Sequence, residues 1–211
     1  NRIMLKGIYA ISDTLLTPKD KLEQSLQAAI KGGIALFQLR DKESRDEQVA
    51  ELCPKLEQIC KDSNVVFVLN DRVELAINLK VGALHIGKKA DDTPYTLEEL
   101  RQIRADYRGI LGVSCYGSLE LAKAATEAGA DYVAFGACFC SPTKPQAKRI
   151  DLNLFKQFSM LSDSVPTCAI GGINAQNIAQ LKEAQIAACI SSIWRGNIVQ
   201  NVQNLIKNWN R

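Results

Sequence analysis

A chain of 211 residues, 46% hydrophobic and 23% charged, has the length and composition of one globular domain with a full core, expected over residues 1–211. Its formal charge of +3 comes from scattered Lys and Arg with no clustered stripe, which argues against a nucleic-acid partner and suits an anionic small molecule. No apolar run nears the roughly 18 residues of a membrane span, no signal-peptide pattern opens the chain, and seven cysteines without a Cys-x-x-Cys pair read as reduced core thiols, so a cytoplasmic protein with no membrane partner is expected.

Short apolar runs alternate with longer amphipathic segments eight times along the chain. Strands are expected at 7–12, 35–39, 65–69, 83–86, 110–114, 132–136, 167–171 and 188–191, where β-branched and apolar residues follow one another without helical spacing. Helices are expected at 19–31, 46–61, 97–104, 118–128 and 174–184, several of them opening on a Ser or Asn cap. Lys31-Gly32-Gly33 and Ala128-Gly129-Ala130 should stop two of these, because glycine accepts the left-handed conformation that ends a helix. Eight βα units in this length predict an α/β protein, a closed (β/α)8 TIM barrel. An open doubly wound sheet would need a Gly-rich phosphate loop after its first strand, and Ile8-Tyr9-Ala10-Ile11-Ser12-Asp13 offers none.

Barrel geometry puts functional groups on the loops that follow the carboxyl ends of strands. After the second strand, period-two spacing turns Gln38, Arg40 and Lys42 to one side, a set suited to a diphosphate unless Asp41 and Glu43 neutralise it. The third strand exits at Asn70-Asp71-Arg72, where Asp71 is either a cap for a helix beginning near Val73 or one carboxylate of a Mg²⁺ site completed by a diphosphate. The fourth exits through His85-Ile86-Gly87-Lys88-Lys89-Ala90-Asp91-Asp92. His85 is the only histidine, so a histidine-based metal site is excluded and packing at the strand end is its expected role. Ser114 ends the fifth strand without a Gly-x-Ser-x-Gly frame, which favours hydrogen bonding over nucleophilic attack. Beyond the sixth, Ser141-Pro142-Thr143-Lys144-Pro145 reads as a stiff anion-binding loop whose prolines reduce the ordering entropy lost on binding. Gly171-Gly172 and Ile190-Ser191 close the series at the seventh and eighth exits, where barrels often hold a phosphate monoester.

This ordered series resembles the thiamine phosphate synthase family over nearly the whole chain. The resemblance rests on Gln38-Leu39-Arg40-Asp41-Lys42, Asn70-Asp71, His85-Ile86-Gly87, Gly112-Val113-Ser114, Ser141-Pro142-Thr143-Lys144-Pro145 and Gly171-Gly172-Ile173. It implies a transferase that joins a hydroxymethylpyrimidine diphosphate to a thiazole phosphate, releasing diphosphate and forming thiamine phosphate through a dissociative step. It further implies that Gln38, Arg40, Lys42, Asn70, Ser114 and Lys144 bind the pyrimidine diphosphate, with Arg40, Lys42 and Lys144 as the catalytic cations. Ser141, Thr143, Gly172, Ile190 and Ser191 would hold the thiazole phosphate, and Asp71 with a second Asp would bind Mg²⁺. Two positions depart from the family pattern: Lys88 stands where Gln is usual and Ala90 where a metal-binding Asp is usual. Asp91 is therefore the expected second ligand, in a loop carrying a local insertion. The related thiazole tautomerase uses a His shortly after the fifth strand, where this chain has Cys115-Tyr116-Gly117. A barrel that only binds phosphorylated metabolites is the remaining alternative.

Overall fold

Apolar runs with no polar face are stable as strands only when both faces are covered, and a parallel sheet ringed by helices does this. The computed structural model describes residues 5–142 and 144–210, and among them eight parallel strands pair in sequence order into a closed barrel. The strands are β1 (Gly7–Ile11), β2 (Leu36–Leu39), β3 (Val66–Asn70), β4 (Ala83–Ile86), β5 (Ile110–Tyr116), β6 (Tyr132–Phe135), β7 (Thr167–Ile170) and β8 (Ile186–Cys189). Around them lie α1 (Lys19–Gly32), α2 (Asp46–Asp62), α3 (Val73–Leu79), α4 (Leu97–Asp106), α5 (Leu119–Ala128), α6 (Asn153–Ser159), α7 (Ser191–Trp194) and α8 (Ile198–Trp209). The (β/α)8 expectation holds.

Strand alternation divides the core in two. Tyr9, Leu36, Val68, Ala83, Tyr132, Cys168 and Ile186 fill the barrel, while Ile8, Phe37, Leu69, Leu84 and Val133 pack outward beneath the helices. On the inward face of β2 to β5, the residues nearest the carboxyl ends are polar: Gln38, Asn70, His85 and Ser114. Register aligns Asn70 with His85 and Ser114 with Ala134. Space for Tyr132 inside the barrel comes from Gly112, where an added Cβ would lie 2.0 Å from the tyrosine Cζ.

Local chemistry sets the element ends. Thr96 and Glu99 form a capping box on α4, and Ser118 and Asn197 cap α5 and α8 through their side chains. Gly33 and Gly129 end α1 and α5 in the left-handed conformation, at φ 114° and 105°. Two expectations need correction. The segment 174–184 is not a helix but holds one 3-10 turn, Ile178–Gln180. Its buried anchors Ile178, Leu181 and Ala184 recur every three residues, and the indole of Trp209 donates to the Leu181 carbonyl, so tertiary contacts outweigh helical propensity. The eighth strand begins two residues earlier than expected and stops before Ile190, because Ser191 already opens α7. All seven cysteines are free, and all but Cys140 are buried.

Replacing Gly112 with Ala should lower the unfolding free energy by about 1–3 kcal/mol, the usual cost of overpacking a filled interior. Urea denaturation checks this, and an unchanged midpoint would show that the Tyr132 ring has room to retreat.

Candidate active site

The carboxyl ends of the strands surround a cavity of about 1770 Å³. Gln38, Arg40, Lys42, Asn70, Asp71, Ser114, Lys144 and Ile190 all line it, brought together from four strand exits and the loop after β6. The ammonium of Lys144 is held below its ordinary pKa, first by partial burial and then by the charges of Arg40 and Lys42. Two cations from the exit of β2 thus lie within electrostatic reach of one that is about a hundred residues away in sequence. Among the described residues, none of the three forms a salt bridge. The neutralising alternative fails at Asp41, whose carboxylate instead accepts from the backbone of Glu43 and Ser44 and from the Ser44 hydroxyl. Unneutralised convergent cations are a site for a polyanion.

Below the cations lies a buried polar row. Gln38 Nε2 donates to Tyr9 Oη at 2.8 Å, Tyr9 Oη meets Tyr132 Oη at 2.9 Å, and His85 bridges Tyr132 Oη and Ser114 Oγ at 2.7 Å on each side. Burial and then the nearby Arg40 charge hold the imidazole pKa down to about 4, so it is neutral at physiological pH.

The cavity wall also carries acidic residues. Asp71 is not the cap of α3. Its carboxylate accepts long hydrogen bonds of 3.3 Å from Asn70 Nδ2 and Gly87 N, and it faces the cavity. A register shift in β5 between Ser114 and Tyr116 turns the Tyr116 ring toward the same place, as strand bulges near sites commonly do. The Tyr116 phenol is pushed up to about 12 by burial, then by Asp71 and Asp92, so both carboxylates act on one hydroxyl. Asp71, Asp92 and Tyr116 have φ of 59°, 67° and 54°, a left-handed conformation that is costly for tyrosine and gathers at functional sites. Lys88 completes this corner, 5.0 Å from the Tyr116 ring centroid and 3.7 Å from Asp92 Oδ1.

Comparison with known proteins agrees with this geometry. A family model described as thiamine monophosphate synthase matches residues 8–193. The thiamine-phosphate synthase of Wolinella succinogenes is 44% identical over 97% of this chain and 94% of its own length. The chain belongs to the thiamine-phosphate synthase family. A second relative so named, from Thioalkalivibrio sulfidiphilus, is 38% identical over 90% of this chain and 88% of its own length. Among solved structures, the thiamine phosphate pyrophosphorylase of Pyrococcus furiosus superposes with a TM-score of 0.80 at 26% identity, covering 96% of this chain and 94% of that one.

Within this thiamine-phosphate synthase barrel, some expected site residues stand elsewhere. Asp91 is off the cavity, because its Oδ1 closes a turn onto the amide and hydroxyl of Thr93. The 88–94 loop folds back through a Lys88–Pro94 bridge, which leaves Asp92 on the cavity wall instead. Gly172 backs onto the protein: an added Cβ would lie 2.3 Å from the Cys140 carbonyl oxygen, so its glycine requirement is one of packing. Gly171 takes its place on the wall. Ser191 starts the single turn of α7 and does not line the cavity, nor does Ser141; Thr143 lies outside the described residues. Sequence reasoning missed Tyr9, Tyr116, Lys148, Arg149 and Arg195, all on the wall. An inward-facing tyrosine whose hydroxyl must find a partner was the available signal for Tyr9. Nothing in local sequence marked the basic residues.

If the three cations form one anion site, inorganic diphosphate should raise the thermal unfolding midpoint of the wild type. It should do so much less for Arg40→Ala or Lys144→Ala, as scanning calorimetry would show; equal shifts would separate these residues from the anion.

Proposed function

We propose that this transferase forms thiamine phosphate by moving the pyrimidinylmethyl group of a pyrimidine diphosphate onto the nitrogen of a thiazole phosphate. The bond between the methylene carbon and the diphosphate oxygen breaks, its electron pair leaves with diphosphate, and the thiazole nitrogen lone pair forms the new carbon–nitrogen bond. The aminopyrimidine ring stabilises the cation between the two events, so no protein nucleophile is required. Residues 1–211 are read as one catalytic domain working in the cytoplasm.

The single observation that carries this reading is the convergence of Arg40, Lys42 and Lys144, none of them in a salt bridge among the described residues, where a leaving diphosphate gains negative charge. Gln38, Asn70 and Ser114 sit deeper on the same wall and are assigned to the pyrimidine half. Gly171, Ile190 and Arg195 line the cavity too, and are assigned to the thiazole phosphate together with the neighbouring backbone of Gly172.

The donor chemistry suits Mg²⁺. Among the described residues no group of three or more His, Cys, Asp or Glu side chains is placed to hold a metal by itself. Asp71 and Asp92 offer hard oxygens, and Mg²⁺ is commonly held by one or two carboxylates with water and substrate phosphates. Bound there with the substrate, Mg²⁺ would supply positive charge to the departing oxygens. Asp71 and Asp92 would hold it, with Lys88 beside Asp92 as a further positive charge.

Arg40→Ala and Lys144→Ala should each lower kcat by roughly 10²–10³, as loss of a preorganised charge contact does. Formation of thiamine phosphate followed by chromatography measures this, and losses under threefold would remove these cations from catalysis. Asp92→Asn should raise the Mg²⁺ concentration needed for half-maximal rate, with Asp91→Asn close to wild type. The reverse order would restore Asp91 as ligand.

A further inference from the structure

The row from Gln38 to Ser114 crosses the barrel from β2 to β5 through residues of β1, β6 and β4. Hydrogen counting fixes its direction. Gln38 Nε2 lies against Tyr9 Oη, so Tyr9 accepts there. Tyr9 has one hydrogen of its own, it is buried, and among the described residues its remaining polar neighbour is Tyr132 Oη. A buried hydroxyl hydrogen without an acceptor is strongly disfavoured, so Tyr9 donates to Tyr132. Tyr132, also fully buried, must then send its own hydrogen to His85 Nδ1. A neutral imidazole carries one N–H, and with Nδ1 accepting, that hydrogen sits on Nε2 and is given to Ser114 Oγ. No acceptor among the described residues takes the Ser114 hydrogen, and Ser114 lines the cavity. The ring stacking of His85 on Tyr132, at 5.6 Å between centroids, and the space left by Gly112 hold the row in place.

We propose that Tyr9, Tyr132 and His85 are positioning residues whose one-way hydrogen-bond relay fixes the Nε2–H tautomer of His85 and so commits the Ser114 hydroxyl to donate into the cavity. The site then demands a hydrogen-bond acceptor from its ligand at Ser114, a ring nitrogen or a phosphate oxygen. At the other end of the relay Gln38 keeps its carbonyl oxygen and one N–H for the cavity. An aminopyrimidine edge, with an amino donor beside a ring-nitrogen acceptor, matches that pair. The relay therefore orients two separated ligand contacts through one chain of bonds. This deepens the function proposed above and rests on its assignment of Ser114 to the ligand.

The sole histidine makes the relay directly observable. In ligand-free wild-type protein labelled with ¹⁵N-histidine, NMR at neutral pH should show a protonated Nε2 and a lone-pair Nδ1. A protonated Nδ1 would overturn the proposal, since it reverses the bonds that run from Tyr9 through Tyr132 and His85 to Ser114. Tyr132→Phe should abolish the tautomer preference and lower kcat by about tenfold, the weight of one hydrogen bond. In a Ser114→Ala background the same change should have no further effect, because a relay acting through Ser114 is already cut. Independent, multiplying losses would mark Tyr132 as a structural residue only and overturn the relay's role. If Ser114→Ala turned over like wild type while Nε2 stayed protonated, the relay would stand and the assignment of Ser114 to the ligand would fall. Should Tyr132→Phe fail to fold, the wild-type tautomer still decides.

Discussion

Three like charges held at the mouth of a barrel repel one another, and the fold must hold them without the anion that would relieve them. Arg40 and Lys42 continue the inward period of β2, and Arg40 is tied by its backbone N–H to the Ser12 hydroxyl at 2.9 Å. The loop after β2 is gripped from the other side by Arg72, whose guanidinium takes the carbonyls of Asp41 and Ser44 as well as the Asp46 carboxylate. Asp41, which stands between Arg40 and Lys42 in the chain, is occupied in shaping that loop. The repulsion is thus kept by geometry, and a polyanion would discharge it. Electrostatic preorganisation of this kind stabilises a leaving diphosphate without reorganisation at the moment of bond breaking.

The acidic corner shows the opposite problem. Two carboxylates that share a neighbour need positive charge between them or a separation that keeps their repulsion small. Here Lys88 lies beside Asp92, and the Tyr116 ring stands within electrostatic reach of both acids. The left-handed conformations of Asp71, Asp92 and Tyr116 are the backbone cost of bringing the exits of three different strands to one point. A lysine at this position gives Asp92 a resident counter-charge, and one net negative charge of the acidic pair is left facing the cavity.

Much of the barrel was legible because parallel strands announce themselves as apolar runs of four or five residues, and their inward alternation continues into the exits. Gln38, Arg40 and Lys42 could be placed on one side from that period alone. What escaped depends on turns and on contacts across the barrel. Asp91 and Asp92 are adjacent in sequence, and only the folded-back loop, closed by Thr93, decides which faces inward. The 174–184 segment has an apolar spacing of three that a helix also tolerates, and docking against Trp209 settles it as an irregular strap. Gly171 and Gly172 read as ligand-facing glycines, yet their missing side chains make room for the backbone of residues 137–140. Tyr9 and Tyr132 were legible as strand residues, but that their hydroxyls meet depends on the barrel's diameter.

A serine 2.7 Å from a histidine whose other nitrogen meets a third polar group has the outline of a nucleophilic triad. The outline misleads, and the reason is polarity. In such a triad the third group accepts from Nδ1–H, which leaves Nε2 free to take the serine proton. Here the third group is a phenol with its hydrogen directed at Nδ1, and an imidazole pKa of about 4 removes what basicity remains. Ser114 therefore meets an N–H where a nucleophile would need a lone pair. A reaction whose electrophile is generated by departure of diphosphate has no use for a protein nucleophile, and a serine able to attack that cation would end turnover as an alkylated enzyme. The same buried tyrosines that orient the hydroxyl also keep it from reacting.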